Sequence, residues 1–195
     1  VGTLQADRSV VVTGLDGERA QISGDAVILA SGSAPRTIPG FYVDGTRVLT
    51  SDEVFELQSL PARVAVIGGG AIGCEFASML ADLGSEVTIL EALPQILPAV
   101  DKDVVQTVLR SFKGRKIDVR TGVRVTGHTP GPTGTTIHIE GAPDLPVDAV
   151  IVSVGRRPVS DTLGLDGTGV VVDERGFVEV DELCRTAVDG VWAVG

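Results

Sequence analysis

The spacing of apolar positions changes several times along the chain, and each change predicts an element. Residues 1–5, 9–13 and 20–23 are short runs rich in Val, Thr and Ile, separated by turn residues such as Gly14, Asp16 and Gly17. They predict strands, the second leading into a hairpin turn. Residues 25–30 include the continuous run Ala26, Val27, Ile28, Leu29 and Ala30, as expected of a strand covered on both faces, and end in the breaker cluster Ser31, Gly32, Ser33, Ala34 and Pro35. From Pro35 to Pro61 the pattern is that of a loop, with one short helix predicted over 51–57 behind Ser51 as its cap.

At Arg63 the character changes. Val64, Ala65, Val66 and Ile67 predict a buried strand, followed by a glycine-rich turn and a helix over 71–83 with Ile72, Phe76, Met79, Leu80 and Leu83 at helical spacing. Gly84 stands where helices stop. A second strand is predicted over 86–90. Asp101 or Asp103 caps a second helix with Val104, Val105, Val108, Leu109 and Phe112 on its apolar face, and a third strand follows at 117–119. This β-α-β-α-β order is half of a doubly wound nucleotide-binding fold. The period then falls to two over 123–126 and 135–139, which predicts a β-meander in place of a crossover helix. Residues 149–154 predict another buried strand, and 169–172, 177–180 and 191–195 predict short strands in the tail.

Composition narrows the function. The chain of 195 residues is 43% hydrophobic, holds 25 Gly, and carries a formal net charge of −10. That charge argues against binding nucleic acid or an anionic membrane surface. No apolar run approaches the roughly 20 residues of a membrane helix, so a soluble, cytoplasmic protein is expected. Two cysteines, Cys74 and Cys184, lie far apart with no metal-ligand spacing. They are read as reduced thiols, not a redox pair, and no metal site is expected.

The turn after the strand at 64–67 reads Gly68, Gly69, Gly70, Ala71, Ile72, Gly73, a G-x-G-x-x-G motif in the strand-to-helix setting that a dinucleotide site requires. Gly68 permits the tight turn, Gly70 lets backbone approach a pyrophosphate, and Gly73 lets the helix pack close to the strand. The helix N-terminus offers free N–H groups and a positive dipole end to phosphate. Glu91, at the end of the second strand, can accept both ribose hydroxyls of an adenosine. A 2′-phosphate in the same place meets a like charge, at about 4 kcal/mol for unit charges 4 Å apart near a surface. The residues that follow, Ala92, Leu93 and Pro94, hold no cation. The expected cofactor is NAD(H), not NADP(H).

With these residues in view, the chain resembles the dihydrolipoamide dehydrogenase type of pyridine nucleotide-disulfide oxidoreductase. The resemblance rests on residues 68–77, on Val87 to Glu91, on Leu93 to Pro98 and on Asp101 to Asp103. Upstream, Ile28 to Ser33 resembles a second FAD motif. Downstream, Val154 to Pro158, Asp173 to Gly176 and Gly190 to Gly195 continue the match. The resemblance implies a Rossmann-like NAD-binding domain at 61–153, flanked by two pieces of an interrupted FAD-binding domain at 1–60 and 154–195. It implies FAD beside NAD as cofactor, with Ser31, Gly32 and Ser33 at the FAD motif, although Ser replaces the usual Thr. It places Glu75 near the nicotinamide, Val125 and Gly155 at backbone positions touching the adenine and nicotinamide ends, and Arg156 either steadying the cofactors or bridging domains.

The resemblance also implies an internal fragment. The redox disulfide and the H-x-x-x-x-E base would lie outside it, and His128 and His138 do not match that base. No catalytic residue is therefore expected within these 195 residues, and the fragment alone is expected to be inactive. In full length the family implies oxidation of dihydrolipoamide by NAD+, a homodimer, and association with a 2-oxoacid dehydrogenase complex. Rival readings are a mercuric reductase, a soluble transhydrogenase, an NADH oxidase, or an NAD-binding module without chemistry.

Overall fold

The computed structural model describes all residues from Val1 to Gly195. The chain divides into two compact units, one formed by Val1–Ala34 and Arg156–Gly195, the other by Pro35–Gly155.

The first unit opens with three antiparallel strands, β1 (Gly2–Leu4), β2 (Val10–Thr13) and β3 (Arg19–Ile22), joined in that order. Gly17 closes the β2–β3 turn by donating its N–H to the Gly14 carbonyl. Strand β4 (Val27–Leu29) follows, then β5 (Ser33–Pro35). The expectation that residues 25–30 are covered on both faces does not hold. Leu29 is buried, but Ile28 between its neighbours is 66% exposed, because only one face of β4 is packed.

The second unit begins with β6 (Val48–Leu49) and a single 3-10 turn over Glu53–Glu56. Ser51 does not cap that turn. The Glu53 carboxylate instead accepts the Thr50 N–H (2.8 Å) and hydroxyl (2.7 Å). Then come β7 (Arg63–Ile67), α1 (Ala71–Leu83), β8 (Glu86–Glu91), α2 (Lys102–Gly114) and β9 (Asp118–Thr121). The meander is β10 (Val125–Pro130), β11 (Thr135–Ile139) and β12 (Leu145–Val147), and β13 (Ala149–Val152) completes the unit. Five strands form one parallel sheet in the order β6-β13-β7-β8-β9, with Val64 beside Val87 and Ala149. The predicted adjacency of the strands at Val64 and Glu86 is observed. The compact unit reaches back to Pro35, and within it Val48 and Leu49 pair with Val150 and Ile151 and are fully buried.

The continuous apolar runs follow from this layering. Successive residues of a strand point to opposite faces. Val64, Val66, Ile89, Ala149 and Ile151 meet the helices, packing with Ala77, Leu80, Val105 and Phe112. Ala65, Ile67, Leu90, Val150 and Val152 meet the meander, packing with Ile137, Ile139 and Val147. Both faces are covered, so residues 64–67 and 149–152 are apolar at every position. Helix α1 turns its small residues Gly73, Cys74 and Ala77 inward with Phe76 and Leu80, and Leu83, expected on that face, is 61% exposed. Gly84 ends the helix in the left-handed conformation (φ 110°). Val104 of α2 is likewise exposed, leaving Val105 and Phe112 as its buried anchors. Arg63 and Asp148 fasten β7 to the start of β13. The Asp148 carboxylate accepts the Arg63 amide (2.8 Å) and guanidinium (2.8 Å), and that guanidinium holds the Asp148 carboxyl below its ordinary range.

The chain returns to the first unit through β14 (Arg156–Pro158), paired with β5, and ends on β15 (Val191–Ala193), parallel to β4 with Val191 beside Val27. Leu4, Leu29, Leu165, Val170, Val191 and Ala193 form its core. The strands expected at 169–172 and 177–180 reduce to one bridge, Val172 to Val178. Asp173 between them accepts the N–H groups of Arg175 and Phe177, which turns the chain before a ladder can form.

The layering makes a quantitative prediction. Ile89→Ala, at a fully buried position, is expected to destabilise the protein by about 2–5 kcal/mol. Leu83→Ala, on the exposed side of α1, should stay within about 0.5 kcal/mol. Urea unfolding of both variants checks the assignment.

Candidate functional site

A cleft of about 620 Å3 opens in the second unit, lined by Gly68, Gly70, Glu91, Val125, Ser153 and Gly155 among others. These residues follow or end β7, β8 and β13 and begin β10. Carboxyl ends of parallel strands are where open α/β sheets bind ligands, because the strand-to-helix turns converge there.

The glycines of the turn have separable reasons. Gly68 has φ 106°, and a Cβ there would meet the Ser153 carbonyl oxygen. A Cβ at Gly73 would meet the Gly68 carbonyl oxygen, so α1 can lie this close to β7 only without a side chain. A Cβ at Gly69 would press on Ile96 and on the Glu91 carboxylate. Gly70 is different. It has ordinary extended backbone, and a Cβ there would meet nothing of the chain within 4 Å. Fold packing does not demand a glycine at that position; its missing side chain leaves the helix N-terminus open.

That N-terminus is prepared for an anion. No side chain caps α1, and its first turn holds no acidic residue. The amides there lack helical partners and carry the positive end of the dipole. Ala71 is exposed and Ile72 is half-buried in this turn. The amides of Gly68 and Gly69 are already committed, to the Leu90 carbonyl (2.9 Å) and to the Glu91 carboxylate (2.5 Å) respectively.

Glu91 is not a surface carboxylate. It is 8% exposed, with Oε2 accepting the Gly69 N–H and Oε1 accepting the Leu93 N–H at 2.7 Å. Each carboxylate oxygen can accept more than one donor, and the residue lines the cleft, so capacity remains for hydroxyl groups. These features fit a dinucleotide: space of suitable size, an open helix N-terminus for phosphate, and a carboxylate for a ribose.

Glu75 does not line this cleft. It is exposed in the second turn of α1, beside a shallow depression shared with Ala71, Cys74 and Ser78. Val125 and Gly155 do line it. Sequence reasoning missed Ser153, Arg124, Thr126, Ile38 and Pro39, which also line it. Ser153 follows β13 and had a strand-end signal; Ile38 and Pro39 lay in apparent loop.

The first unit gathers the remaining candidates. Ser31 and Gly32 follow β4 and line a separate hollow of about 350 Å3 with Ala193 and Gly195, which end β15 and follow it. Both strands run parallel and finish at this hollow, an arrangement that fits part of a second nucleotide grip. Ser33 is held by Arg156, whose guanidinium donates to the Ser33 hydroxyl (2.7 Å) and carbonyl (2.6 Å). Arg156 therefore braces β14 against β5. Both cysteines are free thiols. Burial, together with the charges of Glu91 and Glu75, pushes the Cys74 thiol up to about 11, so it stays protonated and unreactive at neutral pH.

The profile of the family described as pyridine nucleotide-disulphide oxidoreductase matches residues 1–195. A dihydrolipoyl dehydrogenase of Cupriavidus necator is 40% identical over 178 residues, which is 89% of this chain and 38% of that protein. Among solved structures, the Cu(II) complex of the HOCl-induced flavoprotein disulfide reductase RclA from Escherichia coli superposes with a TM-score of 0.89 at 31% identity, covering 100% of this chain and 44% of that one. The water-forming NADH oxidase from Lactobacillus brevis bound to NADH gives 0.81 at 26% identity, covering 98% and 44%. The chain thus spans about two fifths of the length of these proteins.

The different origins of the glycines can be separated by substitution. Gly70→Ala is expected to cost about 1 kcal/mol or less, as a change at a helix cap. Gly73→Ala should cost about 1–3 kcal/mol or more, since backbone and not a yielding side chain blocks the methyl group. Thermal unfolding of the two variants distinguishes them; equal losses would mean that Gly70 is also required by packing.

Proposed function

Because the chain belongs to the pyridine nucleotide-disulphide oxidoreductase family, we propose that its Pro35–Gly155 unit binds NAD(H) within a flavoprotein of dihydrolipoyl dehydrogenase activity. The observation that carries the nucleotide reading is the cleft at the strand ends, where Gly70 leaves the α1 N-terminus open and Glu91 lines the wall beside it. The dehydrogenase reading is supported by 40% identity to the Cupriavidus necator enzyme. In the whole protein the reaction takes two electrons and two protons from dihydrolipoamide, giving lipoamide, NADH and a released proton. A disulfide reductase or NADH oxidase of other substrate is the second reading, supported by the likeness to RclA and to the Lactobacillus brevis oxidase.

When bound, the flavin and the nicotinamide supply the electron and hydride chemistry. The work of this chain is placement. The amides of the first turn of α1 hold the pyrophosphate. Glu91 accepts ribose hydroxyls, and its negative charge opposes a 2′-phosphate. Ile67, Leu90, Val123 and Val154 supply the apolar floor that keeps water from the bound nucleotide. In the first unit, Ser31 and Gly32, with Ser33 fixed by Arg156, form part of the FAD grip. Glu75 lies near the nicotinamide in this proposal, and its exposure on α1, which leaves it available to a partner group, supports that position. A homodimer, a 2-oxoacid dehydrogenase complex as partner and a cytoplasmic location belong to the same proposal. Among the helices, none is long and apolar enough to cross a membrane.

Titration calorimetry with NADH and NADPH tests the reading. The protein is expected to bind NADH more tightly. Glu91→Ala should weaken NADH binding by about 1.5–3 kcal/mol, the worth of hydrogen bonds to a charged group, and narrow the gap to NADPH. Loosening of the turn alone, through the lost Gly69 and Leu93 bonds, would weaken both cofactors equally. An unchanged ratio therefore removes Glu91 as the ribose ligand.

A further inference from the structure

The cleft holds one carboxylate, Glu91, and one basic side chain, Arg124. No cation follows Glu91 in sequence, yet the fold brings one to the same wall. The Val123 N–H donates to the Glu91 carbonyl (3.0 Å) and the Gly122 N–H to the Leu93 carbonyl (2.9 Å), so the segment entering β10 lies along the end of β8. Arg124 is the next residue. Its backbone is fixed, with the carbonyl accepting the Glu140 N–H at 2.9 Å.

Its side chain is held loosely. The side chain is 77% exposed and its ion pair with the Glu140 carboxylate is 3.7 Å long, beyond hydrogen-bond range. Exposed pairs of this kind contribute little to stability, so Arg124 can exchange Glu140 for a stronger acceptor at small cost. Glu91 is the opposite case, buried, with both oxygens already accepting backbone N–H groups. Those two dipoles offset part of the negative charge it presents to the cleft.

We propose that Arg124 is a second specificity-determining residue of the cleft, a cation that receives the 2′-phosphate of a phosphorylated dinucleotide and so limits how strongly Glu91 excludes it. The inference rests on the dinucleotide reading of the cleft. A guanidinium suits the task because its planar fork matches phosphate oxygens in pairs. NADH has no 2′-phosphate, so its affinity depends little on Arg124. The protein prefers NADH through Glu91, and tolerates NADPH through Arg124.

Calorimetric titration of the full chain with NADH and NADPH, in wild type, Arg124→Ala and Glu140→Gln, tests this. Wild type is expected to bind both. Arg124→Ala should lower NADPH affinity about tenfold or more, as for loss of a charge-assisted hydrogen bond, with NADH affinity changed less than about threefold. Glu140→Gln removes the competing carboxylate and should strengthen NADPH binding. That gain cannot come from a misfolded variant. If Arg124→Ala lowers both affinities together or neither, or if wild type binds NADH and not NADPH, the role of Arg124 is overturned and the dinucleotide cleft stands. If wild type binds neither cofactor, the proposed function falls first.

Discussion

The buried carboxylate of Glu91 is the contact on which the candidate site depends. It ties the glycine turn after β7 to the chain leaving β8, through the Gly69 N–H on one oxygen and the Leu93 N–H on the other. Breaking a buried, hydrogen-bonded carboxylate away from its donors leaves polar groups without partners, which is costly in a dry interior. The turn is therefore held in one shape before any ligand arrives. Gly69 leaves room first for Ile96 and then for the carboxylate, and Gly68 and Gly73 must be glycine so that β7, β13 and α1 can meet. What remains after these constraints is an open helix N-terminus facing a cleft.

That division lets a single motif satisfy packing at three glycines and still leave a helix N-terminus open at the fourth. Gly68, Gly69 and Gly73 answer to contacts within the chain, and Gly70 answers to a space. The parallel sheet fixes the directions of β7, β8 and β13, so their ends present Gly68, Glu91 and Ser153 to one cleft. The first unit repeats the logic on a smaller scale, where β4 and β15 run parallel and both lead to the hollow bordered by Ser31, Gly32 and Gly195. Family membership gives these two grips a common context in proteins that combine a flavin with a pyridine nucleotide.

The central elements were legible in the sequence because each has a strong period or a distinctive terminator. Helix α1 matches its predicted span, bounded by the glycine turn and by Gly84, and the adjacency of β7 and β8 follows from the β-α-β order. Strand β6 was not legible: two residues, Val48 and Leu49, carry no period, and their burial comes from pairing with β13. Leu83 and Ile28 misled for a related reason. Hydrophobicity shows that a residue can be buried, and only the partner surface decides whether it is. Ser51 lost its predicted capping role to Thr50, whose hydroxyl accepts the Asp52 N–H while the Glu53 carboxylate reaches back to Thr50. Arg124 was invisible as a lining residue of the cleft because the bonds that bring its neighbours Gly122 and Val123 beside Leu93 and Glu91 join distant segments.

The central claim is that the α1 N-terminus and Glu91 grip the two ends of one adenosine diphosphate moiety. A crystal structure of the protein with NADH bound tests it most directly. The account predicts pyrophosphate oxygens hydrogen-bonded to amides of the turn at Gly70 and Ala71, and adenosine ribose hydroxyls hydrogen-bonded to the Glu91 carboxylate, with the Gly69 and Leu93 bonds to that carboxylate intact. A dinucleotide seated elsewhere, or one whose ribose makes no contact with Glu91, contradicts it.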